Sequence, residues 1–299
     1  MTTPLHLAIG AFDGVHVGHR AVLHSAREAA RADGGIVGVL TYDPHPSKIL
    51  RPESSVPLIF TRAQKDDRLT EAGAQLIHHE KFDRAHAGIE ALDFPRWLKQ
   101  TFPHLKSLHV GSNFQYGRGR AGNGETLIAH GAAEGLGVKL VAAVGLGDET
   151  VSSSRIRQCL AAGDLALANA MLLRPYEAEG VIIGGRRLGR TIGFPTVNVA
   201  WEPELRPSFG VYAVEVIFKG EAMPAVANYG LRPTVESGPV APLLEAHILR
   251  GTAPTTGDSV RVRWVRRLRA EQKFADLAAL QAQIAKDSAQ AKQALGLLG

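Results

Sequence analysis

The sequence predicts an α/β domain followed by an all-β one: a doubly wound parallel sheet, then a small antiparallel β-barrel with a closing helix. Three observations carry this. Near the N-terminus, an apolar run at residues 5–9 stops at Gly10, opens onto a helical pattern and returns as a second apolar run at 36–42. Strand, turn, helix and strand in that order make a βαβ unit, which implies a parallel sheet covered by helices. After Arg174-Pro175 the texture changes to short β-type runs separated by Gly and Pro, as in small barrels. The last stretch, 271–295, is rich in Ala, Gln, Leu and Lys and reads as one helix.

The elements follow in order. Leu5-His6-Leu7-Ala8-Ile9 is apolar enough for a buried strand, and helical spacing runs over 19–32 until Gly34-Gly35 stops it. The strand at 36–42 closes at Asp43-Pro44. Helices are predicted over 62–71, 94–101 and 125–134, and strands over 107–110 and 139–144. Beyond residue 175 the β-type runs are 180–183, 210–218, 225–228, 244–249 and 259–265. The expected domains are 1–172 and 173–299.

A chain of 299 residues accommodates two ordinary domains. Hydrophobic residues make up 45% and charged residues 21%, as in soluble globular proteins. The single cysteine, Cys159, excludes an internal disulfide framework and suits a reducing cytoplasm. No apolar run approaches the roughly 18 residues of a membrane span, and Met1–His6 lacks the pattern of a secretory signal. A cytoplasmic location without membrane partners is therefore expected. A net charge of +5, with the 12 histidines neutral, suits phosphorylated small molecules and nucleic acid alike.

The chemistry-bearing residues begin in "IGAFDGVHVGHR", residues 9–20. A strand that ends in a Gly-rich turn and opens a helix aims backbone N–H groups at one point, which is an anion site. Gly10, Gly14 and Gly18 let the main chain approach a phosphate, and His16 and His19 stand ready to donate to its oxygens. A zinc site would need a third ligand at metal spacing, which neither His45 nor His78-His79 supplies. A second phosphate signal is Ser152-Ser153-Ser154-Arg155-Ile156-Arg157, with more hydroxyls and guanidiniums than a helix cap requires.

In the second domain, Gly184, Gly185 and Gly189 alternate with Arg186, Arg187 and Arg190 in a cationic loop. Thr196 and Asn198 offer neutral oxygens that suit a magnesium–nucleotide complex. Glu245 is a lone carboxylate in the apolar run 243–249, either an inward-facing base or an outward-facing strand residue. Arg261, Arg263, Arg266, Arg267 and Arg269 around Trp264 read better as a solvated strand face than as a nucleic-acid surface, so no nucleic-acid partner is expected.

"GAFDGVHVGH" followed by "SSSRIR" resembles the H-x-G-H and S/T-x-x-x-R signatures of the nucleotidyltransferase superfamily. "TYDPHPSKIL" and "VGSNFQYGRGRAG" are similar to the adenylyltransferase half of the bacterial bifunctional riboflavin kinase/FAD synthetases. "GVIIGGRRLGRTIGFPTVN", "FGVYAVEV", "VANYGLRPT", "LLEAHIL" and "LRAEQKF" resemble that family's kinase blocks in order. The resemblance implies a Rossmann-like transferase domain and a riboflavin-kinase barrel. Its substrates and products are ATP, riboflavin, FMN and FAD, and its metal is Mg2+.

It also implies roles. His16, His19 and Glu245 are catalytic. Gly10, Phe12, Asp13, Gly14, Gly18, Ser152, Ser153, Ser154, Arg155 and Arg157 bind nucleotide, as do Gly184, Gly189 and Arg190 in the kinase. His45, Asn113, Phe114 and Arg269 contact flavin, and Thr196 and Asn198 hold the metal. Two departures stand out. Asn113 replaces a usual acidic residue, and Arg250–Asp258 replaces an acidic-aromatic segment of the flavin pocket. They leave open a paralogue with one activity or altered specificity, or a non-catalytic flavin- or RNA-binding regulator.

Overall fold

The computed structural model describes residues 3–184, 193–201, 204–231 and 242–297. The chain divides into two compact units, Met1–Ser153 and Ser154–Gly299.

The first unit is built on a five-stranded parallel sheet of β1 (Leu5–Ile9), β2 (Ile36–Asp43), β3 (Leu76–Lys81), β4 (Leu105–Gly111) and β5 (Gly137–Val141). Their order is β3-β2-β1-β4-β5, so the winding reverses beside β1. β1 is buried along its whole length because both faces are covered. On one face Ala8, Val37 and Val39 pack under α1 (Val17–Asp33) and α3 (Arg62–Glu71) with Leu23, Ala26 and Leu69. On the other, Leu5, Leu7, Ile9 and Leu108 meet Phe94 and Leu98 of α5 (Phe94–Thr101) and Leu127 of α6 (Gly124–Ala133). The short helices α2 (Pro46–Leu50) and α4 (Arg84–Ala87) and a β6–β7 ribbon (Gly145–Leu146, Glu149–Thr150) complete the unit. The strand β3 escaped the sequence pattern: it is a half-exposed edge reading Leu-Ile-His-His-Glu-Lys, without the apolar run that marked its neighbours.

The second unit opens with α7 (Ser153–Ala162) and α8 (Leu165–Leu172), which the sequence reading assigned to the first domain. They bond to the barrel instead: Asn169 Nδ2 donates to Trp264 O at 2.8 Å and its Oδ1 accepts from Tyr176 N at 2.8 Å, while Ser208 N donates to Leu160 O at 3.2 Å. The barrel is closed and antiparallel, made of β8 (Tyr176–Ile183), β9 (Thr196–Ala200), β10 (Gly210–Phe218), β11 (Glu221–Leu231), β12 (Pro242–Ile248) and β13 (Ser259–Arg269) in the order β10-β11-β12-β9-β8-β13. Tyr176, Tyr212, Tyr229 and Trp264 fill its interior, with Tyr212 edge-on to Trp264 at 4.8 Å. With aromatic rings filling the interior, the polar strand residues stand on the outer face. The closing helix α9 (Leu277–Ala294) lays Ala291 on the outer-face residues Val211, Ala213 and Val226.

Candidate active sites

In an open parallel sheet, ligands bind beyond the carboxyl ends of the strands where the winding reverses. Here that point is flanked by the segment after β1, which carries Gly10–His19, and the segment after β4, which carries Asn113 and Phe114. The β1 turn is held in an unusual shape: Phe12 (φ 50°), Gly14 (φ 86°) and Val15 (φ 39°) all have positive φ. A β-branched residue with positive φ is strained, and both Phe12 and Val15 are almost fully buried, which over-determines the strain. Asp13 fixes the turn from below, its buried carboxylate accepting from Ile59 N at 2.9 Å.

The turn ends at His16, the N-cap of α1, whose Nδ1 accepts from His19 N at 3.4 Å. With Nδ1 turned to the helix backbone, Nε2 is the His16 nitrogen on the far side of the ring. The two imidazoles stack with centroids 3.7 Å apart, and Phe12 flanks His19 at 5.1 Å. Gly18 leaves room for this stack: a Cβ there would lie 3.2 Å from the His16 ring, which would have to shift by a few tenths of an ångström. Burial, reinforced by His16 and by Lys65, holds the His19 imidazole well below the ordinary histidine range, so it is neutral at neutral pH. Its Nδ1 is buried without a hydrogen-bond partner among the described residues.

The serine-rich signature is joined to this turn by Ser153, whose hydroxyl donates to Asp13 O at 2.8 Å. Ser152 precedes it, and Ser154, Arg155 and Arg157 continue the first turns of α7 in the second unit. His45 caps α2 through Ser47 N at 3.2 Å and lines a narrow cleft with Ala11, Asp13 and Tyr42. Gly10 leaves β1 by donating to Leu40 O at 3.1 Å. Phe114 stacks on Tyr116, with centroids 5.9 Å apart, while Asn113 is exposed.

On the barrel, Leu244 and Ala246 occupy the interior, so Glu245 points outward. This corrects the inward-facing alternative: strand alternation permits both faces, and the direction of closure decides. The outer face is not bland, however. Register places Asn198 and Asn228 on either side of Glu245, and Ile183 beyond Asn198. Thr196 lies on the same face two residues from Asn198, and Asn198 Oδ1 is buried with no hydrogen-bond partner among the described residues. A Cβ at Gly230 would collide with the Glu271 carboxylate, so a second carboxylate lies over that face two residues from Asn228. Glu271 stood in the sequence within "LRAEQKF" but carried no sign of this placement.

The same row continues through Val211 to Arg269. The Arg269 guanidinium is engaged by Asp287 of α9, with Nε at 3.0 Å and Nη2 at 2.8 Å, and donates to Ala270 O at 3.0 Å. The structure thus places this expected flavin contact in an ion pair that anchors the closing helix. Its neighbours on β13 are paired too: Arg263 Nε donates to buried Glu177 at 2.9 Å and Arg261 Nε to Glu179 at 3.1 Å. At Arg261, Arg263 and Arg269, charges neutralised by acidic partners differ from the fully solvated face expected. Gly184 is exposed, and Gly189 and Arg190, with Gly185, Arg186 and Arg187, lie outside the described residues. Arg250–Asp258 includes a self-bonded turn in which Asp258 accepts from Thr255 N at 2.7 Å and Thr255 Oγ1 at 2.9 Å.

Two family models match the chain: FAD synthetase over residues 2–155 and riboflavin kinase over 172–295. A bifunctional riboflavin kinase/FMN adenylyltransferase of Escherichia coli (strain K12) is 38% identical over 293 residues, covering 97% of this chain and 93% of the relative. Proteins of the same description from Bacillus subtilis (strain 168) and Haemophilus influenzae are 34% and 36% identical, covering 95% and 96% of this chain and 90% and 92% of theirs. Among solved structures, one described as a macrolide-efflux protein from Streptococcus pneumoniae superposes with a TM-score of 0.89 at 26% identity, covering 98% of this chain and 95% of that one. That description belongs to the other protein; among the described residues here, no helix is long and apolar enough to cross a membrane. Two matched halves in a single chain, each with its own phosphate-directed constellation, place it in the family of bifunctional riboflavin kinase/FMN adenylyltransferases.

Proposed function

We infer that this chain makes both flavin cofactors, phosphorylating riboflavin to FMN with ATP and joining FMN to AMP to give FAD and pyrophosphate. The observation that carries this reading is the pairing of two unlike phosphate-directed sites in one chain: a stacked histidine pair capping a helix, and a carboxylate between two asparagines on a barrel strand. The transferase signatures fall within residues 1–172, of which α7 and α8 pack on the barrel, and the kinase is assigned to 173–299.

In the kinase, Glu245 accepts the proton of the riboflavin 5′-hydroxyl as its oxygen bonds to the γ-phosphorus and ADP leaves. Mg2+, when bound, would neutralise charge on the ATP phosphates. Hard oxygen ligands suit it, and the residues fit: Asn198 brings a buried amide oxygen without a partner among the described residues, and Thr196 a hydroxyl on the same face. Gly184, Gly189 and Arg190 are assigned to the ATP phosphates. In the transferase, an FMN phosphate oxygen bonds to the α-phosphorus of ATP as the bond to pyrophosphate breaks. His16 and the neutral His19 donate hydrogen bonds to the α-phosphoryl oxygens as charge grows there. Gly10, Phe12, Asp13, Gly14 and Gly18 shape the cradle. Ser152, Ser153, Ser154, Arg155 and Arg157 are assigned to the pyrophosphate portion. His45, Asn113 and Phe114 are assigned to the flavin. The enzyme works in the cytoplasm on small molecules.

The test is direct. Purified protein is incubated with riboflavin, ATP and Mg2+, and the flavins are resolved by chromatography. FMN followed by FAD is expected, and a folded protein that binds flavin without turnover would overturn the reading.

A further inference from the structure

We propose that Lys65 is a phosphate-contacting residue of the transferase site, its ammonium donating hydrogen bonds to phosphoryl oxygens held at the His16–His19 turn. The proposal rests on the function inferred above for that site. Helix α3 begins with a complete capping box, in which Thr61 and Gln64 bond each other's backbone N–H groups, so its first turn is fixed. Lys65 sits next in the chain and lines the cleft it shares with Asp13, Tyr42, His45 and Arg62. Its Nζ donates to Thr41 Oγ1 at 3.0 Å, and Thr41 Oγ1 donates to Ala11 O at 3.0 Å. The ammonium is thereby tied to the backbone of the glycine turn that carries the histidines.

That bond to Thr41 is the single side-chain hydrogen bond of Lys65 among the described residues, so two of the three N–H groups of its ammonium remain available. The acidic groups nearby have other partners. Asp13 accepts from Ile59 N, Asp43 is paired with Arg62 at 2.9 Å, and Asp66 is paired with His79 at 2.8 Å. The cleft measures about 40 Å³, room for about three waters, which suits phosphoryl oxygens and excludes a nucleotide base. A half-buried ammonium without a direct ion pair is costly, and an anionic ligand would offset the cost. Burial pulls its pKa below the ordinary lysine range, against Asp66, Asp13 and Asp43, which raise it, and with Arg62, which lowers it further. Lys65 in turn helps to keep His19 neutral. The site then pairs a neutral imidazole donor with a separate positive charge, and neither group duplicates the other.

The test uses full-length wild type, Lys65→Met and Lys65→Arg. FAD formation from FMN is followed while ATP and FMN are varied in turn, with riboflavin phosphorylation as the control that the rest of the chain is intact. Lys65→Met should lose about 10²-fold in kcat/KM for FAD formation, as removal of one charge-stabilising donor does elsewhere. Lys65→Arg should keep activity within about tenfold of wild type, because the charge is retained. A raised KM for ATP assigns the contact to the nucleotide phosphates, a raised KM for FMN to the acceptor phosphate, and a fall in kcat alone to the transition state. Each supports the proposal. A structural role would not move the pH profile: wild type should lose FAD formation along an alkaline limb that Lys65→Arg lacks. Unchanged kcat and KM in Lys65→Met would overturn the proposal, as would losses that follow the melting temperature with the limb retained in Lys65→Arg. If wild type makes no FAD, the reading of the site has failed instead. Calorimetry with inorganic pyrophosphate then decides Lys65, with roughly tenfold weaker binding to Lys65→Met supporting it and equal binding overturning it.

Discussion

The two phosphate-directed regions of this chain are built on opposite principles. In the first unit the groups proposed to act sit on a strained turn, where Phe12, Gly14 and Val15 take positive φ and a buried Asp13 pins the backbone. In the barrel they sit on straight strands, and Asn198, Glu245 and Asn228 are brought together by register alone. A turn places donors by the direction of backbone N–H groups and by one cap; a strand places a base by counting residues. The first arrangement suits charge stabilisation spread over phosphoryl oxygens, and the second suits one proton moved at one atom.

The largest expected effect is at the counted position. Glu245→Gln keeps the shape and removes the proton acceptor, so FMN formation should fall by about 10²–10⁴ while FAD formation from supplied FMN stays normal. Chromatography of both products checks this. At the turn, His19→Ala should lower FAD formation by about 10²–10³ and leave riboflavin phosphorylation intact. Chelators of zinc should have no effect on either variant or wild type.

The third effect concerns what holds each region. Asp287 is almost fully buried and meets Arg269 with three hydrogen bonds, so Asp287→Ala removes the ion pair of a guanidinium held against the barrel. The barrel should lose about 3 kcal/mol, and denaturant unfolding should show it in the second unit alone. The smallest effect is acid sensitivity of the first unit. His109 is buried between Ser25 and Ser107, and burial, with His6 and Lys139, lowers its pKa from 6.5 to about 4. Its folded-state pKa lies below the unfolded one, so the stability it contributes is complete above pH 6.5 and lost as pH falls towards about 4. Melting curves across that range should be shallower in pH for His109→Gln than for wild type.

Much of this was legible in the sequence, for reasons particular residues make plain. β1, α1 and β2 were readable because a doubly covered strand must be apolar throughout and a glycine pair must end the helix. His16 and His19 were readable because a helix N-terminus after a Gly-rich turn is an anion site by itself. The outward direction of Glu245 was not, since alternation along one strand leaves both faces open until the barrel closes. Strand β9 was hidden because its five residues follow a Gly- and Pro-rich signature that reads as loop. The attachment of α7 and α8 to the barrel rests on Asn169 reaching Trp264, ninety-five residues away, and no local composition marks it. Lys65 had no signal either: it is one of 34 basic residues, and only the meeting of α3, β2 and the glycine turn distinguishes it.

The central claim is that one chain carries two independent sites joined only by their common intermediate, FMN. Mixing two crippled proteins tests it most directly. Full-length His16→Ala should convert riboflavin to FMN and stop, and full-length Glu245→Gln should make FAD only when FMN is supplied. Combined with riboflavin, ATP and Mg2+, the two should produce FAD that neither makes alone, because FMN released by the first is used by the second. A mixture that makes no FAD while wild type does, with both variants folded, would contradict two separable sites, and so would either substitution abolishing both reactions.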